Sequence, residues 1–197
     1  MKDTIYSREQ YLRKKAAEKE PLNIQLTNNY AFRKLFKMNY IARGFLIALL
    51  GLDEEDVVKL EVIDPFEEGE NEEEKEGILD IKIYLNDNKK INIEMQNRYQ
   101  EDWTERSLFY NCRMFTEGLY HGQPYGDLEP CIHVGILDFD LMKTPGFHHH
   151  IKLLDIKTNE EYSSKLQFHV VQLKQVESAT EEEKQTELYY WAKLLAA

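Results

Sequence analysis

The sequence predicts an α/β domain in which a central mixed β-sheet is flanked by helices. Three observations support this prediction: a β-hairpin pattern over residues 78–96, a strongly apolar strand pattern over 130–139, and helical apolar spacing on either side of the hairpin. Because helices and strands alternate along the chain, we expect helices to cover both faces of the sheet.

Two helices and a strand are predicted before the hairpin. Thr27 or Asn28 can cap the first helix, since short polar side chains accept hydrogen bonds from its free amides. The second helix covers the apolar stretch 41–50 and ends at Gly51, because glycine readily takes the left-handed conformation of a C-cap. The roughly alternating residues 57–66 predict the first strand.

The hairpin places two acidic residues on one face of the sheet. Its strands, 78–85 and 91–96, alternate between apolar and polar residues, and successive side chains of a strand point to opposite faces. If the apolar residues share one core, Asp80 and Glu94 share the opposite face. A loop of three or five residues between the strands keeps the apolar residues of both strands on the same face. One choice sets Asp80 across from Glu94, and the other sets it across from Gln96.

Further helices and strands are predicted after the hairpin. A helix over 101–121 carries an apolar stripe that we expect to face the core, formed by Leu108, Cys112, Phe115 and Leu119. The remaining elements are the apolar strand at 130–139, two strands at 150–155 and 166–173, and a helix at 180–195 capped by Thr180.

Composition limits the class of protein. The chain has 197 residues and a net charge of −11, a length that suits one domain. Residues 67–76 hold over half of the excess negative charge, and we predict a solvated loop there. The remaining chain is mildly acidic, which argues against strong non-specific DNA binding but not against an enzyme that contacts phosphates through a few cations. Cys112 and Cys131 fit a reducing cytoplasm and are expected to be buried packing groups.

The chain is expected to have three parts. These are a charged arm or helix at 1–26, the main domain at 27–175, and a C-terminal helix at 176–197 that could begin a longer region. The first residues lack the apolar segment of a secretory signal, and the longest apolar stretch, 44–52, has about half of the length of a membrane span. We therefore expect a soluble, cytoplasmic protein with no membrane partner.

Asp80 and Glu94 form the first candidate site. Two carboxylates a few ångströms apart repel each other unless a cation lies between them, and an oxygen-only ligand set suits Mg²⁺ or Mn²⁺. Such an ion can activate water and stabilise charge on a phosphate during hydrolysis. The alternative is a solvated sheet face, since solvent-exposed strands show the same alternation of charged and apolar residues.

The helix after the hairpin supplies the second candidate site. Arg106, Tyr110, Arg113 and Glu117 recur at helical spacing and form a polar stripe beside the apolar one. Because guanidinium groups are forked donors that suit phosphate oxygens, Arg106 and Arg113 are candidate residues for binding a phosphate. For Arg113, an ordinary surface ion pair with Glu117 is the alternative.

Three consecutive histidines at 148–150 resemble a metal-binding tract. If they lie in a strand, neighbouring side chains point to opposite faces, so we do not expect the three to bind one metal ion together. The sequence contains no nucleophile elbow, P-loop or dinucleotide fingerprint.

Together these residues resemble the PD-(D/E)XK nuclease superfamily, and more closely the transposase-like proteins related to the Rpn recombination-promoting nucleases. The motif is Asp80, a spacer of thirteen residues and Glu94-Met95-Gln96, in a hairpin followed by a helix. The likeness extends over most of the chain, through TNNYAFRKLF (27–36), ILDIKIYLNDNKKINIEMQ (78–96), ERSLFYNCRMFTEGLYHGQPYGDLEP (105–130) and IHVGILDFDL (132–141).

The resemblance implies a restriction-endonuclease-like core and Mg²⁺-dependent cleavage of DNA phosphodiester bonds, with a link to mobile DNA or recombination. It implies that Asp80 and Glu94 bind the metal ion. Gln96 stands at the lysine position of the superfamily motif; it carries no charge but can orient the attacking water by hydrogen bonds. Asn29 stands where related sequences often have an acidic residue.

The principal hypothesis is therefore a metal-dependent DNA endonuclease, in which Asp80, Glu94 and Gln96 act in catalysis and the polar stripe of the next helix contacts the DNA backbone. The alternative is a catalytically degenerate nuclease fold that binds DNA or protein, which Asn29, Gln96 and the acidic charge favour. A third hypothesis is an interaction module whose acidic loop recruits a basic partner. An oligomer is compatible with each of them.

Overall fold

A computed structural model describes residues 24–63, 81–86, 88–117 and 119–197 of the chain. Within these ranges six strands form one sheet: β1 (Leu60–Ile63), β2 (Ile81–Leu85), β3 (Lys89–Gln96), β4 (Cys131–Leu137), β5 (His148–Leu154) and β6 (Glu161–Gln172). The spatial order is β1-β2-β3-β4-β6-β5. Strands β3, β4 and β6 are parallel to one another, and the other neighbouring pairs are antiparallel.

Four α-helices accompany the sheet within the described ranges: α1 (Asn29–Phe36), α2 (Asn39–Leu50), α3 (Trp103–Thr116) and α4 (Glu187–Ala196). Side chains of α1, α2 and α4 belong to the main apolar core, whereas α3 covers the opposite face of the sheet. The predicted α/β fold, a mixed sheet flanked by helices, is therefore confirmed. None of the helices in these ranges has the length and apolar character required to cross a membrane.

Local signals set the ends of the helices. Asn28 is the N-cap of α1, and its Oδ1 accepts hydrogen bonds from the amides of Tyr30 and Ala31 at 3.1 and 3.4 Å. Gly51 ends α2 with a φ of 64°, as predicted. The start of the last helix was predicted too early. Its N-cap is Thr186, because a separate 3₁₀ turn (Glu183–Gln185) precedes it.

The hairpin of β2 and β3 has the shorter of the two loops that the sequence allows. Leu85 pairs with Lys89 and Ile81 pairs with Ile93, so three residues connect the strands. Asn86, the first of them, has a φ of 54°, a left-handed conformation that asparagine tolerates well. This register is the one for which we expect Asp80 opposite Glu94. Asp80 itself lies outside the described residues, as do the predicted acidic loop at 67–76 and most of the predicted arm at 1–26.

The main apolar core lies on one face of the sheet. The apolar residues of β2 and β3 alternate onto this face as predicted, and Phe32, Phe36 and Phe45 pack over them. Phe32 and Phe36 have ring centres 4.4 Å apart, and Phe36 meets Phe45 edge to face at 5.2 Å. The last helix contributes Leu188, Ala192 and Leu195 to the same core. The division of the chain at residue 176 remains a prediction.

Helix α3 turns a different side to the sheet from the one predicted. Leu108 is 45% exposed and Cys112 is also exposed, so the expectation that this apolar stripe faces the core is wrong for these residues. The buried side chains of α3 are instead Trp103, Ser107, Tyr110, Asn111 and Met114. The reason is that α3 covers the polar face of the sheet, so its polar and aromatic side faces inward. Cys131 is buried, as predicted.

The N-terminal end of α3 approaches the sheet at a glycine. A methyl group on Gly135 of β4 would overlap the ring of Trp103, which is 2% exposed. Trp103 also packs with Leu137 and Val170 in a second, smaller apolar cluster. The lack of a side chain at Gly135 therefore sets how closely α3 lies against β4.

The loop between β4 and β5 is held by one buried amide. Oε1 of Gln172 accepts hydrogen bonds from the backbone amides of Leu141 and Met142 at 2.6 and 2.7 Å. Its Nε2 donates to the carbonyl oxygen of Gly146 at 3.2 Å. Gln172 is fully buried, so its amide group supplies the hydrogen bonds that these backbone groups of the loop would otherwise make with water.

The three consecutive histidines lie in edge strand β5, and they divide between its faces as predicted. His148 and His150 lie on the face of His169, whereas His149 bonds to the carbonyl oxygen of Gly146 on the other face. The rings of His148 and His150 stack on that of His169, with centres 5.2 and 4.1 Å apart. Nε2 of His148 lies 2.9 Å from Nδ1 of His169, so one nitrogen donates a proton and the other accepts it.

Replacing Gly135 by alanine should lower the free energy of unfolding by roughly 1–3 kcal/mol, because the added methyl group displaces the Trp103 ring. Urea denaturation of both proteins measures the difference. Gly126→Ala is the matched control, since a methyl group there meets no atom within 4 Å. Equal losses in the two variants would contradict the packing of Trp103 on Gly135.

The free energy of unfolding should fall as the pH decreases below about 6.5. Burial lowers the pKa of His148 to about 4 and that of His169 to about 3, whereas both groups titrate near 6.5 when exposed. As the pH falls, the unfolded chain therefore binds protons before the folded chain does. Each histidine then lowers the free energy of unfolding by up to about 1.4 kcal/mol per pH unit. His169→Phe should make the dependence between pH 6 and 4.5 shallower, because it removes one of these two histidines. An unaltered slope in the His169 variant would refute this.

Candidate active site

The face of the sheet under α3 is polar and buried. It carries Lys90, Asn92 and Glu94 of β3, together with Lys82 of β2 and His133 of β4. Glu94 is 1% exposed and Asn92 is fully buried. The alternative of a solvated sheet face is therefore wrong, because α3 excludes solvent from it. A buried polar layer of this kind requires a partner for each charge.

Glu94 is paired with two of the residues that the sequence singled out. Its Oε1 accepts a hydrogen bond from Nε of Arg106 at 3.0 Å and lies 2.9 Å from Nη2 of the same guanidinium in an ion pair. The same oxygen accepts one from Nε2 of Gln96 at 2.8 Å. The structure thus brings together Glu94, Gln96 and Arg106 where β3 ends and α3 begins. The ion pair compensates a charge that burial would otherwise make costly.

The polar stripe of α3 faces this layer. The Arg106 guanidinium lies over the ring of Tyr110, with 5.2 Å between its central carbon and the ring centre. Arg106 keeps 32% of its side chain exposed, whereas Tyr110 is 8% exposed. Arg113 is half-buried and lies two helical turns, about 10 Å, farther along α3. Arg106 and Tyr110 are therefore close to Glu94, and Arg113 belongs to the other end of the layer.

At that other end, lysines hold the C-terminal end of α3. Nζ of Lys82 lies 2.9 Å from Oε2 of Glu117, and Nζ of Lys90 lies 3.1 Å from Oε2 of Glu129. Lys90 also donates to the backbone carbonyl oxygens of Met114 and Glu117, which are among the last acceptors of the helix. Each of these lysines has an acidic partner, so this end of the layer positions the helix.

Cys131 lies beside the same lysines but has no reactive character. Burial raises the pKa of the Cys131 thiol to about 12. The thiol is therefore protonated at neutral pH, and a protonated thiol is a poor nucleophile and metal ligand. Cys131 is a packing group, as its place in an apolar strand predicts.

Sequence reasoning missed two residues next to Glu94. Nε2 of His133 lies 3.8 Å from Oε2 of Glu94, and Nδ1 of His133 lies 3.1 Å from Nδ2 of Asn92. Burial, followed by the positive charge of Arg106, lowers the pKa of His133 to about 3, so the ring is neutral. The signal is the position of His133 within an apolar strand. This signal points to the site only when the strand register, which pairs His133 with Asn92 across β3 and β4, is known.

The described part of the site contains two side chains whose oxygen atoms are possible ligands of a divalent cation. Its oxygen donors are the Glu94 carboxylate and the Gln96 side-chain amide, which are the ligand types that Mg²⁺ and Mn²⁺ prefer. Three N–H groups of Arg106 and Gln96 lie within 3.0 Å of Oε1 of Glu94, so they stabilise the negative charge of this oxygen, and a metal ion that binds it would replace some of them. The other expected ligand, Asp80, lies outside the described residues. Within those residues, no group of three or more His, Cys, Asp or Glu side chains is arranged to hold a metal ion.

Asn29 does not belong to α3, the helix that covers this layer. It is the exposed first residue of α1, a helix whose buried side chains, Phe32 and Phe36, belong to the main apolar core. An acidic residue at this position would therefore stand at the start of α1, which packs on the opposite face of the sheet from α3.

A comparison with protein-family models identifies the family of the chain. Residues 26–197 match the model described as PD-(D/E)XK nuclease family transposase. Comparisons with curated proteins and with solved structures found no match. The matched residues make up most of the chain and include Glu94, Gln96 and Arg106. The chain thus belongs to the PD-(D/E)XK nuclease family transposases.

Proposed function

We propose that this protein is a divalent-metal-dependent DNA endonuclease that hydrolyses phosphodiester bonds, with a role linked to mobile DNA or recombination. The observation that carries the proposal is the buried Glu94 carboxylate. It lies in the part of the chain that matches the nuclease family model and is held by Arg106 and Gln96. Nucleases of this superfamily generally use divalent metal ions.

We propose Asp80 and Glu94 as the metal ligands, with Mg²⁺ or Mn²⁺ as the ion. The register of the hairpin supports this pairing, because Ile81 is opposite Ile93 and Asp80 is one peptide bond from Ile81. A bound ion would lower the pKa of the attacking water and stabilise negative charge on the phosphate.

The chain's own residues would position the reactants. Gln96, at the end of β3, would orient the attacking water through its amide, which already lies within hydrogen-bonding distance of Glu94. Arg106 would contact a backbone phosphate, since a third of its side chain is exposed beside Glu94 and Tyr110. Arg113 would contact a phosphate farther along the strand, because it lies two turns along the same helix.

One observation favours a second function, a nuclease fold that binds DNA or protein without cleaving it. The lysine position of the motif is occupied by Gln96, whose amide donates to Glu94 and carries no positive charge. The measurements below distinguish the two functions, because only an enzyme couples the bound metal to strand cleavage.

Replacing Glu94 by glutamine, or Asp80 by asparagine, should reduce cleavage of supercoiled plasmid by about 100-fold or more. A bound divalent ion contributes several kcal/mol of transition-state stabilisation, and every 1.4 kcal/mol corresponds to tenfold in rate. The measurement is the rate of nicking with Mg²⁺, with Mn²⁺ and with EDTA.

The matched control is Glu129→Gln, which removes a carboxylate from the lysine end of the same layer. It should retain activity, although stability falls. Equal cleavage by wild type and both site variants would refute the assigned ligands. Calorimetric binding of Mn²⁺ without cleavage by the wild type would favour the binding function.

Replacing Arg106 by glutamine should weaken DNA binding at every sequence and reduce the slope of log K against log salt concentration by about 1, as loss of one phosphate contact requires. Fluorescence anisotropy in EDTA measures this without cleavage. Arg106→Lys should retain part of the affinity, because it keeps the charge and loses the fork.

Lys193→Gln is the control for this experiment. It makes the same change of charge on α4, a helix that packs on the opposite side of the sheet. A slope that is unaltered in the Arg106 variant, or that falls equally in both variants, would rule out the phosphate contact.

A further inference from the structure

Three side chains form a chain of contacts beneath the proposed metal ligand. Asn92 and His133 face each other across β3 and β4, and Nδ2 of Asn92 lies 3.1 Å from Nδ1 of His133. The other ring nitrogen, Nε2, lies 3.8 Å from Oε2 of Glu94 and hydrogen-bonds to no described residue. All three side chains are almost completely buried, so a polar atom among them that lacks a partner costs free energy.

The contacts decide which ring nitrogen carries the proton. An Asn92 amide that donates to Nδ1 requires an unprotonated Nδ1, and the proton of the neutral ring is then on Nε2. In the opposite tautomer, the lone pair of Nε2 would face the lone pairs of Glu94 Oε2 in a buried site. That arrangement is repulsive, whereas an N–H group directed at the carboxylate is attractive.

We propose that His133 is a positioning residue for Glu94, and that Asn92 selects the tautomer in which His133 presents an N–H group to Oε2. This inference deepens the proposed function and rests on it. His133 would interact with the inner oxygen, so that the outer oxygen, Oε1, remains directed toward Arg106, Gln96 and the proposed metal ion.

A neutral donor suits this position better than a second cation. Arg106 already supplies a full positive charge to Oε1, and another charge on the inner side would compete with a divalent ion for the same carboxylate. The N–H dipole of His133 restrains Oε2 without adding net charge. At 3.8 Å the contact is longer than a hydrogen bond, and contacts of this kind can shorten when the ligand binds.

The first test measures the tautomer directly. In the metal-free full-length protein at pH 7.5, nitrogen NMR of the histidine rings should show a protonated Nε2 and an unprotonated Nδ1 for His133, identified by its loss in His133→Gln. A ring protonated on Nδ1, or on both nitrogens, would overturn the proposal.

Variants of the fully buried amides extend this test. Asn92→Asp offers only an acceptor to the ring, so it should move the proton of His133 to Nδ1. Asn111→Asp is the matched control. It makes the same exchange at another fully buried position, where the amide bonds to the carbonyl oxygen of Gln167. The tautomer of His133 should not change in the control. A tautomer that is unchanged in Asn92→Asp would contradict the role of Asn92.

The second test measures the affinity for Mn²⁺ by calorimetry. His133→Leu should weaken binding by roughly 10- to 100-fold, the usual effect of losing an outer partner of a metal ligand. His133→Gln keeps an N–H donor and should stay within about threefold of the wild type, a rescue that packing alone does not predict. Equal affinity in all three proteins would overturn the proposal.

The two tests separate this inference from the proposed function. A wild type that binds no Mn²⁺ but has the Nε2–H tautomer would contradict metal dependence and support the contact between His133 and Glu94. A wild type that binds Mn²⁺ with the other tautomer would support metal dependence and refute the role of His133. If His133→Leu does not fold, the tautomer and the affinity of His133→Gln still decide the question.

Discussion

The buried charge of Glu94 is the constraint on which the polar half of the structure depends. A carboxylate removed from solvent costs several kcal/mol unless it is paired, so a cation must reach it from a neighbouring element. Arg106 meets this need only if the first turns of α3 cross the sheet at this point. Gly135, next to Glu94 in the sheet, allows that approach because Trp103 rests on its backbone. The position of α3 follows from these contacts.

The same constraint explains which side of α3 is buried. The sheet face beneath it offers lysines, an amide, a carboxylate and an imidazole, so the helix must present partners for them. Arg106 pairs with Glu94, Asn111 donates to the backbone of β6, and Glu117 pairs with Lys82. Apolar residues such as Leu108 are left on the outer side. The helix is amphipathic, but the side that faces inward carries its polar and aromatic residues.

Local features were predictable because their causes are local. Asn28, Gly51 and the alternation of the hairpin act within a few residues, and the structure has them where the sequence indicates. The buried side of α3 was not predictable from its own periodicity, which defines two sides without saying which one meets the sheet. The contact of His133 with Glu94 depends on the register of β3 and β4, strands separated by a helix, and a local pattern carries no information on that register.

The two sides of this sheet are stabilised by different physical forces, and they will respond to different conditions. Apolar burial on the side of α1, α2 and α4 weakens on cooling, because the hydrophobic effect is largely entropic near room temperature. The ion pairs beneath α3 behave in the opposite way: their desolvation penalty falls as temperature rises, and salt screens those near the surface. Cold therefore loosens one layer of helices, and ionic strength acts on the other, which is the layer that carries the candidate active site.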